Sequence, residues 1–423
     1  MKRWAVVSGL GPNGMLATLA LLRAGWRVTA VERRERYVRA IHLSLRQSFF
    51  DDVAAVDAGL AAQLTAIASP IETLEHFALR DGALHPVVSP VAQHPVVPRA
   101  PRSLVRERLA QPAVVHVPLD ELERCFAQHL RSAASTHPLE LVRGVFDVVD
   151  DGDGVGPLSV RVDGEDLGSP DLIVVAEGGK SPTARRLERV PVRLSSPKFY
   201  ISVHVDHALG PLSRRLDSDV VADGQRVGVS SWATGHSDPT KGTWVVVEIP
   251  EALHAGRGSQ TFDRPYFDDV AVTLLGLSSP PAITAGGFSG TFRFEQQLLL
   301  TPTAGANLVF FGDAAGMGHH ALGTGLELGA CDLQALRDVV DGGRLAAYAD
   351  AVRASRVVLL AFGLREYYPG AAGLRPDPTS WVLEALAQTE REPLDVIEAH
   401  LGIDRARHLG SDDGATSGGT HGR

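Results

Sequence analysis

Sulfur is nearly missing from this chain: 423 residues include two cysteines and three methionines. Cys125 and Cys331 lie far apart, each inside a helix-like pattern, so a disulfide framework and a cysteine-held metal are both excluded. Buried thiols in a reducing cytoplasm are the expectation. Basic charge is also in short supply, with 41 Lys and Arg against 50 Asp and Glu and a net charge of −9. Phosphate-backbone binding needs a basic face that releases counterions, so nucleic acid is not expected as the main partner and small molecules are. No apolar run approaches the roughly 18–20 residues that span a bilayer, the longest being Val357 to Leu364. Met1-Lys2-Arg3 followed by Trp4 to Ser8 imitates the opening of an export signal, but Gly9, Pro12 and Asn13 interrupt it too early.

Chemical motifs are absent as well. There is no Gly-x-Ser-x-Gly elbow, no Ser-His-Asp arrangement and no His-Glu-x-x-His, so hydrolase and zinc-protease readings have nothing behind them.

What is present is a soluble globular composition, 44% hydrophobic and 22% charged, on a chain long enough for two domains. Trp4 to Ser8 is a short apolar run of strand type, and Asn13 to Arg23 places Leu16, Leu19, Ala20 and Leu22 at helical spacing. Arg27 to Val31 reads as a second strand. This is a strand, helix, strand unit of a parallel sheet, and Gly9, Gly11 and Gly14 occupy its first turn. Gly9 permits the tight turn, Gly11 lets backbone approach a pyrophosphate, and Gly14 lets helix and sheet pack closely. Glu32 closes the second strand, where a carboxylate accepts hydrogen bonds from an adenosine ribose and repels a 2′-phosphate; FAD or NAD is favoured over NADP there. A third signal follows the strand-like Leu308 to Phe311: Gly312-Asp313-Ala314-Ala315, then Gly323-Thr324-Gly325 opening a long helix. A second glycine-opened helix offers backbone N–H groups to another part of one long ligand.

The organisation predicted is discontinuous. Prolines crowd Ser69 to Ser103 and mark a crossing between domains, whereas Leu172 to Ala176 reads as a buried strand of the first domain. Alternation in Tyr200 to Asp206 and Thr243 to Ile249 indicates an antiparallel sheet. The fold class expected is α/β: a Rossmann-like domain from residues 1–69, 103–190 and 288–370, interleaved with a mostly antiparallel substrate domain from 70–102 and 191–287. Helices at 371–410 and a disordered Gly/Ser/Thr-rich tail at 411–423 complete the chain.

Three motifs together resemble the FAD-dependent aromatic hydroxylases of the para-hydroxybenzoate hydroxylase fold, the group A flavoprotein monooxygenases. They are Gly9-Leu-Gly-Pro-Asn-Gly14 with Glu32-Arg33, Asp171 to Ser181 with Arg185, and Gly312 to Ala315 through Gly323-Thr-Gly325. The resemblance covers about half of the chain and says little of residues 191–285. It implies a FAD site made by Gly9, Gly11, Pro12, Asn13, Gly14, Glu32, Arg33, Arg46, Asp313, Gly323, Thr324, Gly325 and Leu326. Asp313 would hold the ribityl chain, the backbone of residues 323–326 would lie against the flavin near N1 and O2, and Arg46 would approach flavin and pyrophosphate. It further implies NAD(P)H as reductant, O2 as co-substrate, and hydroxylation or epoxidation of an aromatic or polycyclic small molecule. The richness in Ala, Arg, Gly and Val and the departures described next point to specialised metabolism, and a cytoplasmic monomer or homodimer is expected. Neither a Cys-x-x-x-x-Cys pair nor a second dinucleotide fingerprint is present, so NAD(P)H would dock transiently or the substrate itself would supply hydride.

The chain departs from the family pattern at four places. Glu177 stands for aspartate, Gly316 for histidine, His320 for proline and Glu327 for asparagine. His320 is a candidate proton donor beside the flavin, its alternative being a solvated loop histidine. These departures leave open an oxidase, dehydrogenase or cyclase of the same fold, and a flavin carrier without turnover. On the substrate side the candidates are Tyr200, Ser202 and His204 on one strand face, with Trp232, Trp244, Phe292 and Phe294 elsewhere. Ordinary sheet packing also accounts for these aromatics.

Overall fold

A computed structural model describes residues 2–35, 41–87, 114–150, 156–222, 224–254, 263–318 and 324–367. The helices expected at 371–410, the tail at 411–423, and the motif residues His320 and Gly323 lie outside these.

The run Ala5-Val6-Val7 is fully buried, as a central parallel strand covered on both faces must be. It forms β1 (Trp4–Ser8), after which Pro12 opens α1 (Pro12–Arg23) and the chain returns as β2 (Arg27–Glu32). The resulting six-stranded sheet has the order β18 (Thr303–Ala304), β19 (Leu308–Phe310), β12 (Leu172–Val175), β1, β2, β8 (Leu139–Arg143), parallel except at β18. After β1 the chain moves to one side, to β2 and β8, and later returns on the other side as β12 and β19. That reversal puts a crevice at the carboxyl ends of β1 and β12, where open α/β sheets take their ligands.

Around this sheet pack α1, α2 (Gln47–Val56), α3 (Ala58–Ala66) and α4 (Leu119–Ala134), with the short α5 (Pro182–Arg186) following β12. Met15, Leu16, Phe49, Leu122, Phe126 and Phe310 share one apolar core. Cys125 of α4 is half-buried and Cys331 buried, and neither is in a disulfide.

The alternating segments build an eight-stranded sheet, order β20 (Gly316–Met317), β17 (Ile283–Leu298), β13 (Val192–Val205), β16 (Thr243–Pro250), β15 (Gln225–Thr234), β14 (Leu212–Ala222), β5 (Thr73–Arg80), β6 (Ala83–Pro86). Only β14 and β5 run parallel. Pro86 ends the edge strand β6 and Pro70 ends the edge strand β4 (Ser69–Pro70) of a smaller sheet, positions that tolerate a residue without an amide donor. One face of the sheet is apolar: Ile201, Val203, Val245, Val247 and Ala233 pack on Phe267 and Leu274 of α7 (Arg264–Leu275), next to the single turn α6 (Glu251–His254). The alternate residues face the other way.

Two three-stranded sheets complete the frame, β11 (Glu165–Gly168), β10 (Ser159–Val162), β9 (Phe146–Val149) and β3 (His42–Leu45), β7 (Val115–Pro118), β4 (Ser69–Pro70). Two long helices, α8 (Thr324–Val340) and α9 (Leu345–Tyr367), end the described chain. Among the described residues no helix is long and apolar enough to cross a membrane.

Candidate functional site

Gly9 has φ +90°, and a Cβ there would lie 2.5 Å from the Ala176 carbonyl oxygen at the end of β12, so only glycine fits. A Cβ on Gly14 would overlap the Gly9 carbonyl. The turn is therefore closed on itself and pressed against the mouth of the crevice. Gly11 is the N-cap of α1 and supplies no side-chain cap, and the first turn of the helix holds no acidic residue. Its orphan N–H groups and positive dipole end suit an anion. Pro12 takes the first helical position, where a missing N–H costs nothing.

Glu32, at the end of β2, accepts the Leu10 amide at 2.8 Å and the Arg34 amide at 2.8 Å. Burial works to raise its pKa, but the bonds from Arg34 and Leu10 outweigh burial and hold the carboxyl below its ordinary value. Arg33 is exposed. It is Arg34 that pairs with Glu32 at 3.1 Å and reaches to 3.8 Å of where a Gly11 Cβ would stand. Arg34 thus reaches over the turn.

Asn13 joins the first motif to the third. Its Nδ2 donates to the Gly325 carbonyl at 3.1 Å, and its side chain fills the space that a Cβ on Gly312 or on Gly329 would need. Asp313, half-buried, lies beside Gly325: a Cβ there would stand 3.5 Å from its carboxylate oxygen. Positions separated by some 300 residues thus share one crevice.

The Gly312 turn has its own support, which sequence reasoning missed. Arg356 of α9 and Asp332 of α8 form an ion pair, both side chains 1% exposed. Asp332 Oδ2 accepts the Gly312 amide at 2.8 Å, and Arg356 Nη2 donates to the Gly312 carbonyl at 3.0 Å. Tyr348 Oη donates to the Phe310 carbonyl at 2.6 Å. Burial opposes the Arg356 charge, yet the adjoining carboxylate outweighs it and pushes the guanidinium pKa up. Polar residues within apolar helical runs were the only available signal.

Arg46 is 1% exposed at the start of α2, so it is not a solvated surface arginine. Burial lowers its pKa, and the nearby Glu327 carboxylate partly restores it. Glu327 is buried in the first turn of α8 and accepts from Ser48 Oγ at 3.2 Å. Leu326 is buried beside it; of Thr324 only the backbone is described.

Two departures have structural reasons. Glu177 accepts from Ser8 Oγ (2.8 Å), Ser181 Oγ (2.6 Å), and the amide (3.1 Å) and hydroxyl (2.9 Å) of Thr183, using both oxygens to tie β1 to α5. A Cβ on Gly316 would come within 2.7 Å of Arg356 Cγ and of the Gln297 carbonyl, leaving no room for a side chain.

On the large sheet, register corrects one sequence reading. Ser202 pairs with Val246, His204 with Trp244, and Trp232 with Val246. Trp232 and Trp244 therefore share the face of Tyr200, Ser202 and His204, and Trp244 Nε1 donates to Ser202 Oγ at 2.7 Å. The side chains of Phe292 and Phe294 lie outside what is described. Farther along that face Asp217 accepts from Arg215 (2.8 Å) and Ser230 Oγ (2.6 Å) and meets His76 at 2.7 Å.

These features fit a dinucleotide: a helix opening without a cap, a turn only glycine can make, a carboxylate at the end of β2, and a second glycine-opened helix within one side chain's reach. Comparison with known proteins agrees. The family described as FAD binding domain matches residues 4–337. Among solved structures the chain is similar to the tetrameric form of 2-methyl-3-hydroxypyridine-5-carboxylic acid oxygenase, at 18% identity over 93% of this chain and 98% of that one, TM-score 0.57. It is similar to p-nitrophenol 4-monooxygenase PnpA from Pseudomonas putida DLL-E4, at 15% identity over 96% and 95%, TM-score 0.60. The flavin-dependent halogenase CmlS gives 18% identity over 96% and 71%, TM-score 0.61. No curated protein matches the sequence. The chain belongs to the FAD binding domain family, and its fold is that of the para-hydroxybenzoate hydroxylase group of flavoproteins.

Proposed function

We propose that this protein is a FAD-dependent monooxygenase that uses NAD(P)H and O2 to oxygenate an aromatic or polycyclic small molecule. The observation that carries the reading is the Asn13 to Gly325 bond, which puts the uncapped end of α1 and the opening of α8 in one crevice. FAD supplies the redox and oxygen chemistry when bound. The chain's part is to hold and shield it.

The amides of the first turn of α1 would hold the pyrophosphate, Glu32 the adenosine ribose, and Asp313 the ribityl chain. Arg46 would contribute fixed positive charge near the flavin, and Glu327 would temper it. The α8 opening would present amides to the flavin carbonyls. The face carrying Ser202, His204, Trp232 and Trp244 would form the substrate wall, since ligand pockets lie preferentially where two domains meet. Support comes from the fold, the family and the glycine geometry together.

The test is to load the purified protein with FAD and follow NAD(P)H and oxygen consumption across a panel of aromatic compounds. Substrate-stimulated consumption of both with an oxygenated product is expected. Turnover under strict anaerobiosis, or without NAD(P)H, would instead indicate an oxidation without oxygen insertion.

A further inference from the structure

The chain holds three methionines, and the two that are described stand in different surroundings. Met15 is fully buried in the apolar core of the first domain. Met317 is half-buried just past the Gly312 turn, on β20, where it pairs with Gln297 of β17. Its thioether packs on the loop that joins β12 to α5. A Cβ added to Gly179 of that loop would land on Met317 Sδ and come within 2.8 Å of Met317 Cε, so sulfur and methyl lie directly against the glycine.

Three groups hold this loop. Gln297 Nε2 donates to the Gly179 carbonyl, Glu177 ties the loop to Ser8 of β1 and Thr183 of α5, and Met317 covers Gly179. The Ala176 carbonyl, one residue before Glu177, is the wall against which Gly9 makes its turn. Movement of the loop is therefore felt at the mouth of the crevice.

A thioether is a soft nucleophile, and peroxides oxidise it without a catalyst. One S–O bond forms as the O–O bond of hydrogen peroxide breaks; the sulfur is oxidised to the sulfoxide, and the peroxide is reduced and leaves as water. The product replaces a flexible apolar contact by a polar one with an extra atom to seat. Gly179 leaves no room on its side. Gln297 Nε2 lies 2.8 Å from that same Cβ position, so a sulfoxide oxygen competes with the Gly179 carbonyl for its N–H. The rival target is Cys125, but burial and Glu121 push its thiol pKa up and keep it from the reactive thiolate.

We infer that Met317 is a modification site: hydrogen peroxide converts it to the sulfoxide, which releases the Gly179 loop and weakens the hold on FAD. The inference rests on the monooxygenase reading for its oxidant, since a flavin site that activates O2 yields peroxide whenever oxygen is not passed to a substrate. The experiment treats the FAD-loaded protein with graded hydrogen peroxide and reads peptide masses, amide hydrogen exchange and FAD affinity on the same samples. Met317 is expected to gain an oxygen about tenfold faster than Met15, the buried control. Exchange at the amides of residues 177–181 should rise as the sulfoxide accumulates. FAD affinity should fall about tenfold, the effect of a polar group pressed on a close neighbour. Methionine sulfoxide reductases of both stereospecificities should restore both in the unaltered chain, so the outcome does not depend on a variant that folds. Met317→Leu should pass through the same treatment with its own FAD affinity unchanged. Equal oxidation of Met317 and Met15, or complete Met317 sulfoxide with exchange and FAD affinity unmoved, would overturn the assignment, as would the same loss of affinity in Met317→Leu. Oxidation by added peroxide but not during NAD(P)H consumption in air would count against the monooxygenase reading and leave Met317 as the site. Protein that takes up no FAD would defeat that reading too, and the exchange data would then decide this inference alone.

Discussion

The crevice at the ends of β1 and β12 and the inward face of the eight-stranded sheet are built from opposite materials. The first is backbone: glycines at 9, 14, 312 and 325, a helix end, and a few side chains that brace them. The second is side chains that meet only because strands pair in a particular register. A site made of backbone constrains which residues can stand at each position, and so writes itself into the sequence. A site made of register leaves alternation and nothing more, since any polar or aromatic residue satisfies the pleat.

Each half of this contrast can be broken. The largest effect is expected at the brace behind the crevice: Arg356→Met leaves Asp332 buried without its partner and should cost about 3–5 kcal/mol, read by urea unfolding, whereas Arg356→Met combined with Asp332→Leu should recover part of that loss. If the single substitution is silent, the Gly312 turn does not depend on the pair.

Next comes pH, which probes the register-built side. His42 and His116 are held near a pKa of 3, below the 6.5 of an unfolded chain, so the unfolded state takes up protons first as pH falls. Stability contributed by their neutrality is complete above about pH 6.5, is lost toward pH 3, and falls by on the order of 1 kcal/mol per pH unit for each histidine in between. Unfolding curves at pH 7 and pH 5 should show the loss, and His42→Phe should flatten it. Below about pH 4.5, Glu32 and Asp217, whose pKa values are lowered, add their own loss as they protonate.

Smaller again is Gly14→Ala, where the methyl group must displace the Gly9 carbonyl; about 1–3 kcal/mol and a weaker hold on FAD are expected, measured by melting and by flavin titration. Least of all, Trp244→Phe removes the bond to Ser202 and should cost about 1 kcal/mol with FAD affinity unchanged. A drop in FAD affinity there would mean that the two regions are less separate than described.

How far the sequence could be read follows the same line. The βαβ opening, the return through Leu172 to Val175, and the Gly312 turn were legible because steric need dictates glycine and buried parallel strands demand unbroken apolar runs. The sheet of 192–298 was legible as alternating strands, yet Trp232 and Trp244 were set apart from Tyr200 when pairing brings them together. The pairing of Arg34 with Glu32 depends on where the turn after β2 points a side chain, which no motif encodes. Neither the Asp332–Arg356 pair, on consecutive helices, nor the meeting of His42 with His204 and His236 could be found, since packing alone joins their members.

Central to this account is one flavin nucleotide laid from the uncapped end of α1 to Asp313 and the opening of α8. Equilibrium dialysis of the purified protein against FAD tests it most directly: saturation at one FAD per chain is expected, with affinity falling when Asp313→Ala and Gly11→Val are introduced separately. No bound flavin at saturating FAD, or binding indifferent to both substitutions, would contradict it.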